Sequence, residues 1–330
     1  MNGIVTICPR GTPQAKELVV ISGKGGTGKT SLVASFATLS RNCVLADCDV
    51  DAADLHLLVE PRVVRREPFT GGKRARIRQE QCTACGKCEE LCRFGAISSD
   101  GPSNETTEKT FRVDPTSCEG CGVCAWFCPA DAIEFSPAVN GEWIVSETRF
   151  GPMVHAKLGV AAENSGKLVS IVRSEAKQIA EQRGLDLVLI DGSPGIGYPV
   201  IASITGADLV LVVTEPTLSG LHDLKRVTDL TRHFDIPTKV CINKWDLNAE
   251  MSRAIEAKVL ERGLGLAGRV RYDRAVTEAQ VQRETTVEYQ QTGIAVDIRD
   301  VWMHIEATLM KGAVGIEALS SPVPKTVTHA

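Results

Sequence analysis

The chain of 330 residues has no apolar run approaching the ~20 residues that a membrane span needs. Its first residues carry no basic region followed by an apolar core, so no export signal is read there and a cytoplasmic location is expected. Neither sign of charge is in excess. Lys and Arg number 37, Asp and Glu 41, and the net charge of −4 is too near neutral to argue for a nucleic-acid or membrane-surface partner. What is present, 43% hydrophobic and 24% charged residues, is the composition of a globular protein. The length accommodates one large α/β domain plus a small one.

Cysteine is informative by position. Of twelve, Cys8, Cys43, Cys48 and Cys241 are scattered, and the other eight crowd between Cys82 and Cys128. Without an export signal, metal explains that crowding better than disulfides do. Cys82, Cys85, Cys88 and Cys92 form C-x2-C-x2-C-x3-C, and Cys118, Cys121, Cys124 and Cys128 repeat it 36 residues on. Gly86 and Gly122, Ala96 and Ala132, and Ile97 and Ile133 share the offset, so the segment is an internal repeat. A zinc ribbon also uses C-x2-C pairs, but it needs four ligands rather than two fourfold runs. The runs have the spacing of bacterial ferredoxins with two [4Fe–4S] clusters, in which each fourth cysteine ligates the other cluster. That crossing assigns Cys82, Cys85, Cys88 and Cys128 to one cluster and Cys118, Cys121, Cys124 and Cys92 to the other. Arg93 stands where the pattern has a proline, whereas Pro129 keeps it. Between Arg78 and Glu134 there are five basic and ten acidic side chains, so a redox partner with a basic face is expected.

On either side of this segment the chain reads as one α/β domain. "ELVVIS" (residues 17–22), "CVLAD" (43–47), "DLVLID" (186–191), "DLVLVVT" (208–214) and "TKVCIN" (238–243) are apolar runs of strands covered on both faces. Helical stretches fall at 219–234, 249–262 and 296–310. The first strand–turn–helix–strand predicts a parallel pair with a crossover helix. The expected division is an N-terminal extension over 1–16, a first part of the domain with a basic linker over 17–77, and an inserted ferredoxin domain over 78–136. The second part of the domain covers 137–310, and 311–330 is a polar tail expected to be disordered. The basic linker, 61–78, reads as a solvated hinge. Cys43 and Cys241 read as core residues, while Cys48, between Asp47 and Asp49, is a candidate reactive thiol, a reading that is not the favoured one.

"GKGGTGKTS" (residues 23–31) sits between a strand and a helix and fits G-x4-G-K-[ST]. Gly23, Gly25, Gly26, Thr27, Gly28 and Ser31 shape a loop whose backbone N–H groups meet phosphate oxygens. Lys29 is expected at the β- and γ-phosphates and the Thr30 hydroxyl on Mg²⁺. "CINKWD" (241–246) ends a strand at the base side, with Asn243 and Asp246 as candidate base contacts. Its N-K-x-D letters point to guanine, whereas Lys24 points to ATP, which is the favoured reading.

Lys24, in K-G-G-x-G-K-[ST], resembles the signature lysine of the deviant Walker A motif that marks the MinD/ParA/nitrogenase-iron-protein class of ATPases. In order along the chain, "DCDVDAADL" (47–55), "GPMVHAKLG" (151–159), "ENSGKLVSIVR" (163–173), "LIDGSPGIG" (189–197) and "EPTLSGLHDLKR" (215–226) resemble MinD-superfamily P-loop ATPases containing an inserted ferredoxin domain. The resemblance implies a mostly parallel P-loop NTPase sheet with helices on both faces. It implies ATP and Mg²⁺ with two [4Fe–4S] clusters, and an ATP-dependent homodimer, or a heterodimer with a paralogue, in which Lys24 reaches the other subunit's phosphates. It implies Asp49 as the residue that positions water near Mg²⁺, Asp191 as the holder of a Mg²⁺-bound water, and Gly195 as an N–H donor to the γ-phosphate. Asp47 and Asp51 read as solvated, and "VRYD" (270–273) as a weak base-side feature. The function implied is ATP-driven dimer rearrangement coupled to electron transfer to a redox or metal-cofactor-binding protein. Two other functions fit: an iron–sulfur or heterometal cluster carrier, and a spatial-positioning ATPase with structural or redox-sensing clusters. No membrane anchor and no nucleic acid are expected.

Overall fold

The computed structural model describes residues 14–159 and 165–314. Residues 1–13 of the expected extension with Cys8, the first two residues of the 163–173 motif and the tail beyond 314 lie outside the described residues. The chain opens β1 (Lys16–Ser22), α1 (Lys29–Leu39), β2 (Cys43–Asp47), α2 (His56–Val59) and β3 (Arg62–Ile77). A small unit follows: α3 (Lys87–Leu91), β4 (Ile97–Gly101), β5 (Thr110–Val113) and α4 (Val123–Trp126). The chain returns through β6 (Ile133–Thr148), β7 (Gly151–Leu158), α5 (Ser165–Arg183), β8 (Leu187–Pro194), α6 (Tyr198–Ile204) and β9 (Leu209–Thr214). It closes with α7 (Leu218–His233), β10 (Thr238–Asn243), α8 (Ala249–Glu261), β11 (Gly265–Val270), α9 (Ala275–Val281), α10 (Thr286–Tyr289) and α11 (Ile294–Val314). The last helix therefore runs past the expected end at 310.

Nine strands form one sheet in the order β11-β10-β9-β1-β8-β2-β7-β6-β3. From β11 to β7 every pairing is parallel, and β6 and β3 pair antiparallel. Alternation along each central strand explains the two cores. In β1, Val19 and Ile21 face a core completed by α5, α6, α7 and α8, while Leu18 and Val20 face one completed by α1, α10 and α11. The expected parallel pair of β1 and β2 is corrected: β8 lies between them and pairs with both. The α1 crossover thus spans two strand positions, which local sequence order does not reveal.

The basic linker is not a hinge. Residues 62–77 are a 16-residue strand laddered to β6 from Arg62↔Glu147 to Ile77↔Ile133. Its lower half is seated on α5. Phe69 is buried in the main core, the Lys167 ammonium lies over its ring, and Arg65 pairs with Glu175. Apolar positions at intervals of two (Phe69, Ala75, Ile77) mark a strand, but five arginines in the segment hide that signal. At the far end Ala75, Ile77 and Ile133 join Ile97, Phe111, Ala132 and two cysteines in a separate small core. The cysteine module therefore rides at the tip of a long hairpin, and β6 is continuous across the expected boundary at 136.

Candidate functional site

Because the central strands are parallel, their carboxyl ends share one edge of the sheet, and the loops leaving them converge there. A cleft of about 630 Å³ opens at that edge, lined among others by Gly25, Gly26, Thr27, Gly28, Lys29, Thr30, Ser31, Asp49 and Asn243. Gly26 and Gly28 hold positive φ of 78° and 86°, so the loop turns without a side-chain clash. No side chain caps α1, which leaves its first N–H groups for an anion. Asn243 Nδ2 donates to the Thr27 carbonyl (2.7 Å), and Lys244 Nζ to that of Gly26 (2.9 Å), so the base-side strand braces the loop.

Lys29 donates to Asp191 Oδ1 at 2.6 Å and lies 3.5 Å from Asp49 Oδ2. Burial opposes its charge, but the Asp191, Asp49 and Asp47 carboxylates outweigh that and hold its pKa above the ordinary value. Asp191 Oδ2 is buried with no partner, as is Thr27 Oγ1. An orphaned carboxylate oxygen on a group whose lysine partner also reaches Asp49 fits a hydrated divalent cation. Burial pushes the Asp49 carboxyl up against the pull of Lys29.

Asp47 is a correction. It is fully buried rather than solvated, and its carboxylate accepts the N–H groups of Asp49 (3.1 Å) and Leu55 (3.3 Å), which folds the 47–55 loop. Burial and then the Asp191 charge raise its pKa well above the carboxylate range. Asp51 is exposed and lines the cleft. The 189–197 loop is joined to it by Ser193 Oγ, which donates to the Cys48 carbonyl (2.7 Å). Cys48 is buried and its thiol is pushed up by burial, so it is a core residue. Cys241 likewise is buried and raised to about 12.

Five expected residues stand apart from the cleft lining, the buried Asp191 among them. Gly23 packs on α7, where an added Cβ would lie 2.3 Å from Asp223 Cβ. Gly195 donates its N–H to the Ser22 carbonyl (2.8 Å). Asp246 is exposed and accepts the Tyr272 N–H (2.7 Å). Lys24 Nζ is pinned within its own chain, 2.6 Å from Glu215 Oε1 and 2.9 Å from Ser219 Oγ. Glu215 also pairs with Lys244 (3.3 Å), and although burial opposes it, the two lysines hold its carboxyl below the ordinary value. The weak base-side feature 270–273 does reach the cleft, whereas Ser193 and Gln280 had no assigned role in the sequence. Ser193, Arg271, Tyr272 and Asp273 line the cleft, and Gln280 donates to Ser31 Oγ (2.9 Å).

At the hairpin tip the eight thiols form two sets. Cys82, Cys85, Cys88 and Cys128 line one cavity, and Cys92, Cys118, Cys121 and Cys124 another, which is the crossed arrangement expected from spacing. The repeat extends to the backbone: Ala84, Gly86 and Gly95 have positive φ, as do Gly120, Gly122 and Asp131. Ala132 N–H points at Cys128 Sγ (3.3 Å) and Ala96 N–H at Cys92 Sγ (3.4 Å), so Arg93 does not disturb the fourth position. Burial pushes the Cys88 thiol up to about 11 and raises Cys124, with neighbouring thiols adding to both. Thiols packed this way become thiolates when iron supplies the positive charge. No group of three or more His, Cys, Asp or Glu among the described residues is arranged for a single metal ion. Two open fours around cavities suit a multinuclear cluster better.

Comparison with known proteins agrees with both halves. A family model described as a 4Fe-4S dicluster domain matches residues 81–132. The uncharacterized protein MJ0578 of Methanocaldococcus jannaschii is 33% identical over 242 residues, covering 70% of this chain and 79% of that protein. In fold the chain resembles the cell division ATPase MinD of Pyrococcus furiosus, with a TM-score of 0.53 and 16% identity over 89% of this chain and 99% of that one. It also resembles the septum site-determining protein MinD of Pyrococcus horikoshii complexed with Mg-ADP, with a TM-score of 0.54 and 16% identity over 92% and 99%.

Proposed function

The chain belongs to the family of MJ0578, with a MinD/ParA-type P-loop fold and an inserted ferredoxin domain, and from this we propose a dimerising Mg-ATPase that controls electron transfer through two [4Fe–4S] clusters to a partner protein. The observation that carries the reading is Asp191: one oxygen is held by Lys29, and the other is buried and unpartnered within β8. A Mg²⁺-bound water would satisfy that oxygen, with Thr30 on the ion, and Lys29 would turn from Asp191 to the β- and γ-phosphates. Asp49 would orient the attacking water. Adenine is the favoured base because Lys24 belongs to the deviant Walker A pattern of ATPases, although Asp246 keeps the N-K-x-D letters of a guanine site.

Coupling has a physical route in this reading. A γ-phosphate would compete with Ser22 for the Gly195 N–H, moving the loop that leads into α6. α6 packs on α5, and α5 seats Phe69 and Arg65 of β3, the strand that carries the cysteine module. The clusters would supply one-electron transfer, and the chain would supply their thiolates and their position. Lys24 would exchange Glu215 and Ser219 for the phosphates of a second subunit.

The test combines nucleotide hydrolysis, sedimentation and cluster potential. Lys29→Ala is expected to lower turnover by more than about a hundredfold. Lys24→Ala is expected to keep ATP affinity within about threefold while ATP-dependent pairing disappears. Cluster potentials that do not shift on ATP binding would sink the coupling. Iron that passes to an apo-protein on hydrolysis would instead favour a carrier. Localisation that survives Cys85→Ser and Cys121→Ser in a folded chain would favour spatial positioning, the role that the neighbours' names suggest.

A further inference from the structure

The internal repeat of the cysteine module supplies its own control. Positions 36 apart do the same structural work, yet their surface residues differ: Lys87 is matched by Val123, Glu89 by Ala125 and Glu90 by Trp126. α3 is therefore a charged helix and α4 an apolar one. Phe94, likewise, is matched by the small Ala130. The cavity of Cys82, Cys85, Cys88 and Cys128 is lined by Lys87, Pro129 and Ala130, and every large apolar side chain on its wall is buried. The cavity of Cys92, Cys118, Cys121 and Cys124 is lined by Leu91, Phe94 and Val123, which are 38%, 49% and 37% exposed. One helical turn beyond Val123, on the same face, Trp126 is 86% exposed. The charged repeat shows that the fold does not require apolar residues at the positions of Val123 and Trp126, whereas Leu91 is matched by Phe127, itself 57% exposed. A scattered exposed side chain would be ordinary, but a contiguous group at one of two pseudo-equivalent cavities is not.

We propose that the face formed by Leu91, Phe94, Val123 and Trp126 docks a one-electron carrier protein whose redox centre lies at an apolar patch ringed by Lys and Arg. This makes the cluster held by Cys92, Cys118, Cys121 and Cys124 the one next to the partner. The proposal rests on the redox reading above and adds which face, and which kind of partner, that reading uses. Charge selects the occupant. Glu89, Glu90 and Glu119 lie on α3 and beside the second cavity, and the module holds ten acidic against five basic side chains. Basic residues around an apolar centre complement that rim. An anionic membrane surface would be repelled by it. A second copy would bring two acidic modules together across a self-complementary contact.

The experiment uses the full, iron-loaded chain and cytochrome c as probe, a basic haem protein with an exposed haem edge. Binding is followed by sedimentation at the haem absorbance, and iron content and the visible spectrum are checked for each variant. Saturable binding that weakens with added salt is expected. Trp126→Glu should weaken it by at least about tenfold and Phe94→Ala by about threefold or more, whereas Lys87→Ala on the mirrored helix should change it by less than about twofold. Binding by Trp126→Glu equal to that of the unaltered chain, or no saturable binding at all, overturns the proposal. So does a Trp126→Glu effect seen on self-association or on phosphatidylserine vesicles in place of the probe. Reductive titration separates the two readings. Clusters that do not cycle in a chain whose Trp126 face still binds the probe overturn the redox reading alone. Clusters that reduce the probe equally fast with Trp126→Glu overturn the docking face alone.

Discussion

At the scale of single residues, the phosphate loop depends on an atom that is missing. Gly28 holds φ 86°, and a Cβ there would lie 2.3 Å from Asn243 Nδ2, the group that donates to Thr27. Gly28→Ala is therefore expected to cost about 2 kcal/mol through backbone strain and the displaced amide. A lower melting temperature together with at least about tenfold weaker nucleotide binding would check it. His155 gives a pH prediction. Its Nε2 lies 3.1 Å from Ser146 Oγ and its ring stacks on His56 at 6.3 Å. Burial, then the His56 and Arg66 charges, lower its pKa to about 4 against the opposing pull of Glu142. The unfolded chain takes up that proton near pH 6.5, before the folded one does, so stability falls as pH drops from there toward 4. Between pH 7 and pH 5 the loss is about 2 kcal/mol, and His155→Gln should flatten it in urea midpoints taken at both values. The phosphate loop itself was legible because its chemistry dictates its spacing. Asp47 and Glu215 were not: the buried role of Asp47 inside its own loop does not show in the letters, and Glu215 meets Lys24 only through the fold.

At the scale of elements, the central strands announced themselves by continuous apolar runs, and the cysteine repeat by its period. β3 and β6 did not. Each buries only a few of its sixteen residues, and their partnership spans the whole insert, which no local pattern encodes. The strand order was hidden for the same reason, since β8 enters between β1 and β2 from far along the chain. Where the hairpin meets the body, Phe69 is the joint, 2% exposed between β3 and α5. Phe69→Ala should destabilise the protein by about 3 kcal/mol and loosen the hairpin, with nucleotide affinity unchanged. Thermal melts, with hydrogen exchange across 62–77 and 133–148, would show whether the damage stays in that element.

At the scale of the whole molecule, the protein holds unequal cores. Two large ones sandwich the sheet, while the module has eight buried apolar or cysteine residues around its cavities. So small a core cannot offset the entropy of ordering its chain, and bound iron has to contribute. Chelation under anaerobic conditions is therefore expected to unfold residues 78–132 and leave the sheet standing. Limited proteolysis would then cut only inside the module, and the remaining fragments would still bind nucleotide. Cooperative collapse of the entire chain would show instead that the two parts share one folding unit. The hairpin has a further effect. It leaves β3 as the last strand of the sheet among the described residues, and that strand carries five arginines, a lysine and Pro68. A flat apolar border there would invite strand after strand from neighbouring copies into a growing fibre. Crowded positive charge and a proline make such growth unfavourable, so copies of this chain can be concentrated without their sheets polymerising.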